Sequence, residues 1–125
     1  MSTPPSGPTS VRQIPKPWGY ELVWAHTDRY VGKILHVRAG EALSLQYHRQ
    51  KEETLRVLSG RLRLEVAAGP DVPLEVVELG PGEGWHVPPG TRHRMTAIAD
   101  TDVLEVSTPE LDDVVRLEDR YGRRS

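Results

Sequence analysis

The sequence predicts an all-β domain, a barrel or a sandwich. Two observations carry the prediction. Short runs of β-favouring residues recur along the chain, and glycine and proline turn signals separate them at Gly40, Gly69-Pro70, Gly80-Pro81-Gly82 and Pro88-Pro89-Gly90. A third observation is scale, since 125 residues suffice for one domain with its own core and are too few for two.

Taken in order, residues 1–13, opening MSTPPSGPTS, are rich in Ser, Thr, Pro and Gly. They carry too little apolar surface to offset the entropy of ordering, so a disordered tail is expected there, with residues 14–125 as the single folded domain. The strand-like runs follow as YELVWAH, YVGKILHVRAG, TLRVLSGRLRLEVA, LEVVELG, GWHVPPG and DVLEVSTP. TLRVLSGRLRLEV is the clearest: Leu62, Leu64 and Val66 share one face, Arg61, Arg63 and Glu65 the other, and Ser59-Gly60 supplies a tight turn. This predicts a hairpin with one wet face. Only TPELDDVVRLEDRYGR breaks the rhythm. Thr108 suits a helix cap, Pro109 its first turn, and acidic residues follow, so a short helical or irregular segment is expected near the C-terminus.

Composition removes several functions. The formal net charge of -2, with both signs mixed along the chain, offers no polycation for nucleic acid and no basic amphipathic segment for a membrane surface. With no cysteine, thiolate metal sites and cysteine nucleophiles are excluded, and any metal must be bound through nitrogen and oxygen. No apolar run reaches the length of a membrane span and the opening residues lack the form of a secretory signal, so a cytoplasmic location is expected.

The stretch SLQYHRQKEET places polar side chains where a small β protein needs a core. Residues two apart in a strand share a face, so Gln46 and His48 point together, and Glu53 follows after a short break. In GWHVPPGTRHRM, His93 could close the set. Two oxygens and two nitrogens suit one divalent ion of intermediate hardness: zinc, manganese, cobalt, nickel or iron.

The spacing GEALSLQYHRQKEETLRVLSG followed by GEGWHVPPGTRH resembles the two cupin motifs. Gly40, Gln46, His48, Glu53 and Gly60 fill the first; Gly82, Pro88, Gly90 and His93 fill the second. Gln46 replaces the commoner His, and Ala97 stands where Asn usually ends the second motif. The resemblance implies a small double-stranded β-barrel (cupin or jelly roll) whose interior holds one metal on Gln46, His48, Glu53 and His93.

A closer likeness runs through KPWGYE, YVGKI, SLQYH, VLSG, VPPGTRHR and VVRLEDRYGR, which occur in order over residues 15–123. Together they resemble the cupin domain of bacterial type II mannose-6-phosphate isomerases, in many relatives fused behind a guanylyltransferase; only the isomerase half is expected here. The likeness implies interconversion of mannose 6-phosphate and fructose 6-phosphate through a cis-enediol, and a sugar-phosphate ligand. Zinc leads the metals, because zinc-dependent isomerases of the other main cupin type use the same Gln, His, Glu, His set. A departure is RQKEETL after His48, where relatives carry a histidine-rich run. It leaves a non-catalytic sugar-binding cupin as the alternative, while Gln46 counts against a metal-dependent oxygenase.

Such an isomerase needs a group that carries a proton and cations that hold a phosphate. Lys33, which shares its face with Val31, Leu35 and Val37, is the first candidate for the proton, followed by His86 and Glu52. For the phosphate the arginines of the second motif and of the ending are candidates, Arg92, Arg94, Arg116, Arg120 and Arg123. Arg116, within the isomerase-like ending, stands first, and Arg92 next. His26 and His36 are expected to be structural, and Trp18, Trp24 and Trp85 to pack in the core or at the rim. Exposed strand edges make a homodimer the expected assembly.

Overall fold

A computed structural model describes residues 5–123. Its strands are β1 (Arg12–Lys16), β2 (Gly19–His26), β3 (Val31–Val37), β4 (Leu45–Tyr47), β5 (Glu53–Ser59), β6 (Leu62–Ala67), β7 (Glu75–Leu79), β8 (Gly84–Val87), β9 (Arg92–Ala97), β10 (Thr101–Ser107) and β11 (Val115–Glu118). They form a six-stranded sheet in the order β1-β2-β3-β10-β5-β8 and a five-stranded sheet in the order β11-β4-β9-β6-β7. Every pairing is antiparallel. The fold is all-β, two sheets face to face as in a jelly roll.

Alternation builds the core between the sheets. Leu55 and Val57 of β5, Leu62 and Leu64 of β6, and Leu35 and Val37 of β3 are fully enclosed, while the side chains between them on β5 and β6 face outward. The β5–β6 turn falls where Ser59-Gly60 predicts it, with Gly60 at φ 89°. A Cβ at Gly60 would lie 2.3 Å from the Asp100 carbonyl oxygen, so both the backbone angle and the space require glycine.

The C-terminal segment expected to be helical or irregular is not helical, and the described residues contain no helix. The Thr108 hydroxyl accepts the Glu52 N–H at 3.0 Å instead of capping a helix, and tight turns close through Pro109, Glu110 and Asp112. The β-branched pair Val114-Val115 then leads into β11, which completes the edge of β4. At the other end, β1 begins at Arg12, so the last two residues of the expected tail pair with Val23 and Leu22 of β2. Residues 5–11 are exposed and outside the strands, and residues 1–4 of that segment lie outside the described residues.

Candidate metal centre

Three side chains expected to be ligands converge between the sheets. Glu53 opens β5 in one sheet; His93 lies on β9 and His48 just past β4 in the other. All three are buried, and one ligand atom from each lies within 4.8 Å of the others. Glu53 Oε1 is 2.8 Å from His48 Nε2 and 3.3 Å from His93 Nε2. His93 Nε2 is fully enclosed and has no hydrogen-bond partner among the described residues.

The opposite ring nitrogens explain this arrangement. His48 Nδ1 is 2.5 Å from the Asp113 carbonyl oxygen, and His93 Nδ1 is 2.9 Å from that of Thr91. A carbonyl only accepts, so each Nδ1 carries a hydrogen and donates it, which leaves each Nε2, turned towards Glu53, as the ring atom that a metal would take. Two imidazole nitrogens and a carboxylate at one buried point are a donor set that fits a divalent cation. Burial would raise the Glu53 pKa, but the imidazoles of His48 and His93 outweigh it and hold the carboxyl well below the usual range. Gln46 pairs in register with His93 and lines the adjoining cavity, its carbonyl oxygen accepting the Ser44 hydroxyl at 2.7 Å.

That cavity encloses about 290 Å³, at the small end of ligand clefts. Its lining includes the cations Arg12, Lys16, Lys33, Lys51, Arg116 and Arg123 against the carboxylates Glu21, Glu105 and Asp112. Lys33 Nζ lies 3.5 Å from Glu21 and 3.9 Å from Glu105, and Lys51 Nζ lies 3.5 Å from Glu105. Burial and then the neighbouring Glu53 charge push the Glu105 carboxyl up to about 8, against the pull of Lys51 and Lys33. Burial opposes the charge of Lys51, but Glu105 and Glu53 outweigh it and raise its pKa. The cavity is thus biased towards an anionic ligand.

The remaining expected residues divide. Lys33 and Arg116 line the cavity. His86 and Glu52 do not; they pair with each other at 2.6 Å on the exposed surface, because the inward position of β8 is Val87. Arg92 is spent on carbonyl oxygens of Gly69 and Val72 in the β6–β7 connection, and Arg94 on Glu65 and Glu118. Arg120 donates to the Gly40 carbonyl, and Arg123, although it lines the cavity, is held by Asp119. Trp18 is in the core, Trp85 packs against it, and Trp24 covers Gly32.

Three residues of the site escape the sequence reading. Lys51 had a signal, two positions before Glu53 and so on its face. Glu105 had a misleading one, since both of its outward neighbours, Leu104 and Val106, are apolar. Asp113 had none, lying in a turn: its carboxylate accepts the N–H groups of Arg49, Gln50 and Lys51 at 3.0, 2.6 and 2.9 Å. The Arg49 N–H foremost, with those of Gln50 and Lys51, pulls the Asp113 carboxyl down to about 2.

Comparison with known proteins agrees with this architecture. The Cupin domain family matches residues 33–108. Over 118 residues the chain is 37% identical to the mannose-1-phosphate guanylyltransferase ManC of Salmonella typhimurium, covering 90% of this chain and 23% of that protein. It is 32% identical over 117 residues to the xanthan biosynthesis protein XanB of Xanthomonas campestris, covering 90% and 24%. The chain therefore spans about a quarter of the length of these curated relatives. Among solved structures, KdgF from Halomonas sp. superposes with a TM-score of 0.70 at 20% identity over 82% of this chain and 90% of that one, a likeness of fold.

Proposed function

As this chain belongs to the cupin family, we propose that it is a metal-dependent sugar-phosphate isomerase interconverting mannose 6-phosphate and fructose 6-phosphate. The observation that carries the reading is the convergence of His48, Glu53 and His93 beside a small cavity with twice as many cations as carboxylates in its lining. Relatives whose names specify mannose 1-phosphate supply the sugar.

Gln46, His48, Glu53 and His93 would hold the ion, zinc first. When bound there, a divalent cation would supply Lewis-acid stabilisation of negative charge on the sugar oxygens. The Lys33, Glu105 and Lys51 group along one wall is the candidate carrier of the proton between C2 and C1, a role that passes from the surface residues His86 and Glu52. Arg116, with Arg12 on the same cavity, would hold the phosphate, and the wall of charged groups would replace bulk water around the sugar.

A coupled assay for fructose 6-phosphate on zinc-loaded protein tests this. Arg116→Ala should lower kcat/KM for mannose 6-phosphate about ten- to a hundredfold, the worth of one charge-assisted bond of roughly 1.5 to 3 kcal/mol, with zinc still bound. Arg61→Ala, whose guanidinium pairs with Glu78 on the wet face of the hairpin, should change nothing. The second reading, a binding cupin without catalysis, draws on the RQKEETL departure. It predicts mannose 6-phosphate binding by calorimetry with no turnover.

A further inference from the structure

The C-terminal segment follows one stretch of chain from end to end. Thr108 exchanges two hydrogen bonds with Glu52, and Asp113 clamps the N–H groups of residues 49–51 while its carbonyl takes the His48 Nδ1–H. In β11, Val115, Arg116 and Glu118 then pair with Tyr47, Gln46 and Leu45 of β4. Farther on, the Tyr121 hydroxyl donates to Glu41 at 2.6 Å and Arg120 donates to the Gly40 carbonyl at 2.7 Å. Residues 40–52, which carry Gln46 and His48, are thus bonded along most of their length to residues 108–121. On its other side the same segment is held by the register pair of Gln46 with His93, the bridge of Ala42 to Thr96, and backbone hydrogen bonds of Gly40 and Glu41 with Ala97, Leu43 with Met95 and His48 with Gly90.

We infer that residues 108–123 are a positioning strap for the metal centre, and that docking of the strap and binding of the metal are thermodynamically coupled through Asp113. The inference rests on the metal-site reading above. The carbonyl that holds the His48 Nδ1–H favours the tautomer and ring orientation that offer Nε2 to a metal, and that carbonyl belongs to the strap. The Asp113 carboxylate fixes the loop that leaves His48, so one residue sets both the tautomer of the ligand and the path of its backbone. With the strap undocked, His48 loses its orienting acceptor and the segment is held by its bonds to residues 90–97 alone. Whatever then favours the ligand geometry must favour docking to the same degree, because coupling between two equilibria is reciprocal.

Limited trypsin digestion of the full chain, with excess zinc or with chelator, reads this directly. Arg116 and Arg120 are cleavage sites inside the strap, and cleavage in the native state requires the segment to open. Zinc should slow release of the peptides beginning at Leu117 and Tyr121 by about fivefold or more, the lower end of typical site coupling. Cleavage after Arg29, in the β2–β3 turn, should not change. Asp113→Ala should bind zinc more weakly and lose the protection, whereas Asp113→Asn, which keeps a carbonyl acceptor for the clamp, should retain part of both. If Asp113→Ala fails to fold, wild type and Asp113→Asn decide the matter. A strap that only buttresses the fold would be cut equally fast with and without zinc, and that result, in a protein shown by calorimetry to bind zinc, overturns the coupling alone. Absence of zinc binding to wild type overturns the coupling together with the metal reading.

Discussion

Asp113 accepts three backbone N–H groups on a partly exposed carboxylate, and that gives stability a definite pH dependence. Its folded pKa of about 2 lies below the ordinary aspartate value of about 3.9. The carboxylate therefore contributes fully above the unfolded pKa, and the contribution is lost as pH falls through about 2. In chelator, urea unfolding should find wild type more stable than Asp113→Asn by a constant margin above about pH 4, narrowing as the pH approaches 2. A margin that holds down to pH 2.5 would remove the clamp from the account. The convergence of His48, Glu53 and His93 as candidate ligands was legible in the sequence because residues of the two cupin motifs keep fixed spacings on and beside strands of period two. Asp113 was not, because it acts through a turn whose path depends on a chain segment 62 to 64 residues away. Lys51 and Glu105 are each other's partners across 54 residues, and the pairing that makes a buried charge tolerable is not visible locally.

Among the elements, the β5–β6 hairpin was the most legible, since alternation and the Ser59-Gly60 turn point to the same register. Its turn makes a sharp prediction. Gly60→Ala combines a left-handed backbone angle with a Cβ 2.3 Å from the Asp100 carbonyl oxygen and 2.5 Å from the Thr101 hydroxyl, a cost of about 2 kcal/mol or more. Thermal unfolding should show Tm lowered by roughly 5–10 °C, and an unchanged Tm would mean that the turn relaxes freely. The C-terminal segment was the least legible. Thr108, Pro109 and the acids after it carry the local signature of a helix start, but the open edge of β4 offers the backbone a full partner and tertiary pairing prevails over the cap. The β1 boundary shifted for the same reason: Arg12 and Gln13 have little propensity of their own and are ordered by pairing with β2.

At the scale of the molecule, the sandwich brings Glu53 from one sheet against His48 and His93 from the other, so the candidate metal centre bridges the two layers. The charged cavity opens beside it. An interior that would otherwise be apolar is given over to ionisable groups, at a cost in stability that function explains better than packing does. No helix among the described residues is long and apolar enough to cross a membrane, and the expected homodimer remains a proposal that sedimentation would address. The proposed proton transfer on a phosphorylated sugar is tested most directly by following mannose 6-phosphate in D2O by NMR. Zinc-loaded protein should form fructose 6-phosphate with solvent deuterium at C1 and wash deuterium into C2 of the remaining mannose 6-phosphate, and His93→Ala should do neither. A zinc-loaded wild-type protein that binds mannose 6-phosphate yet leaves both positions free of deuterium would contradict the account.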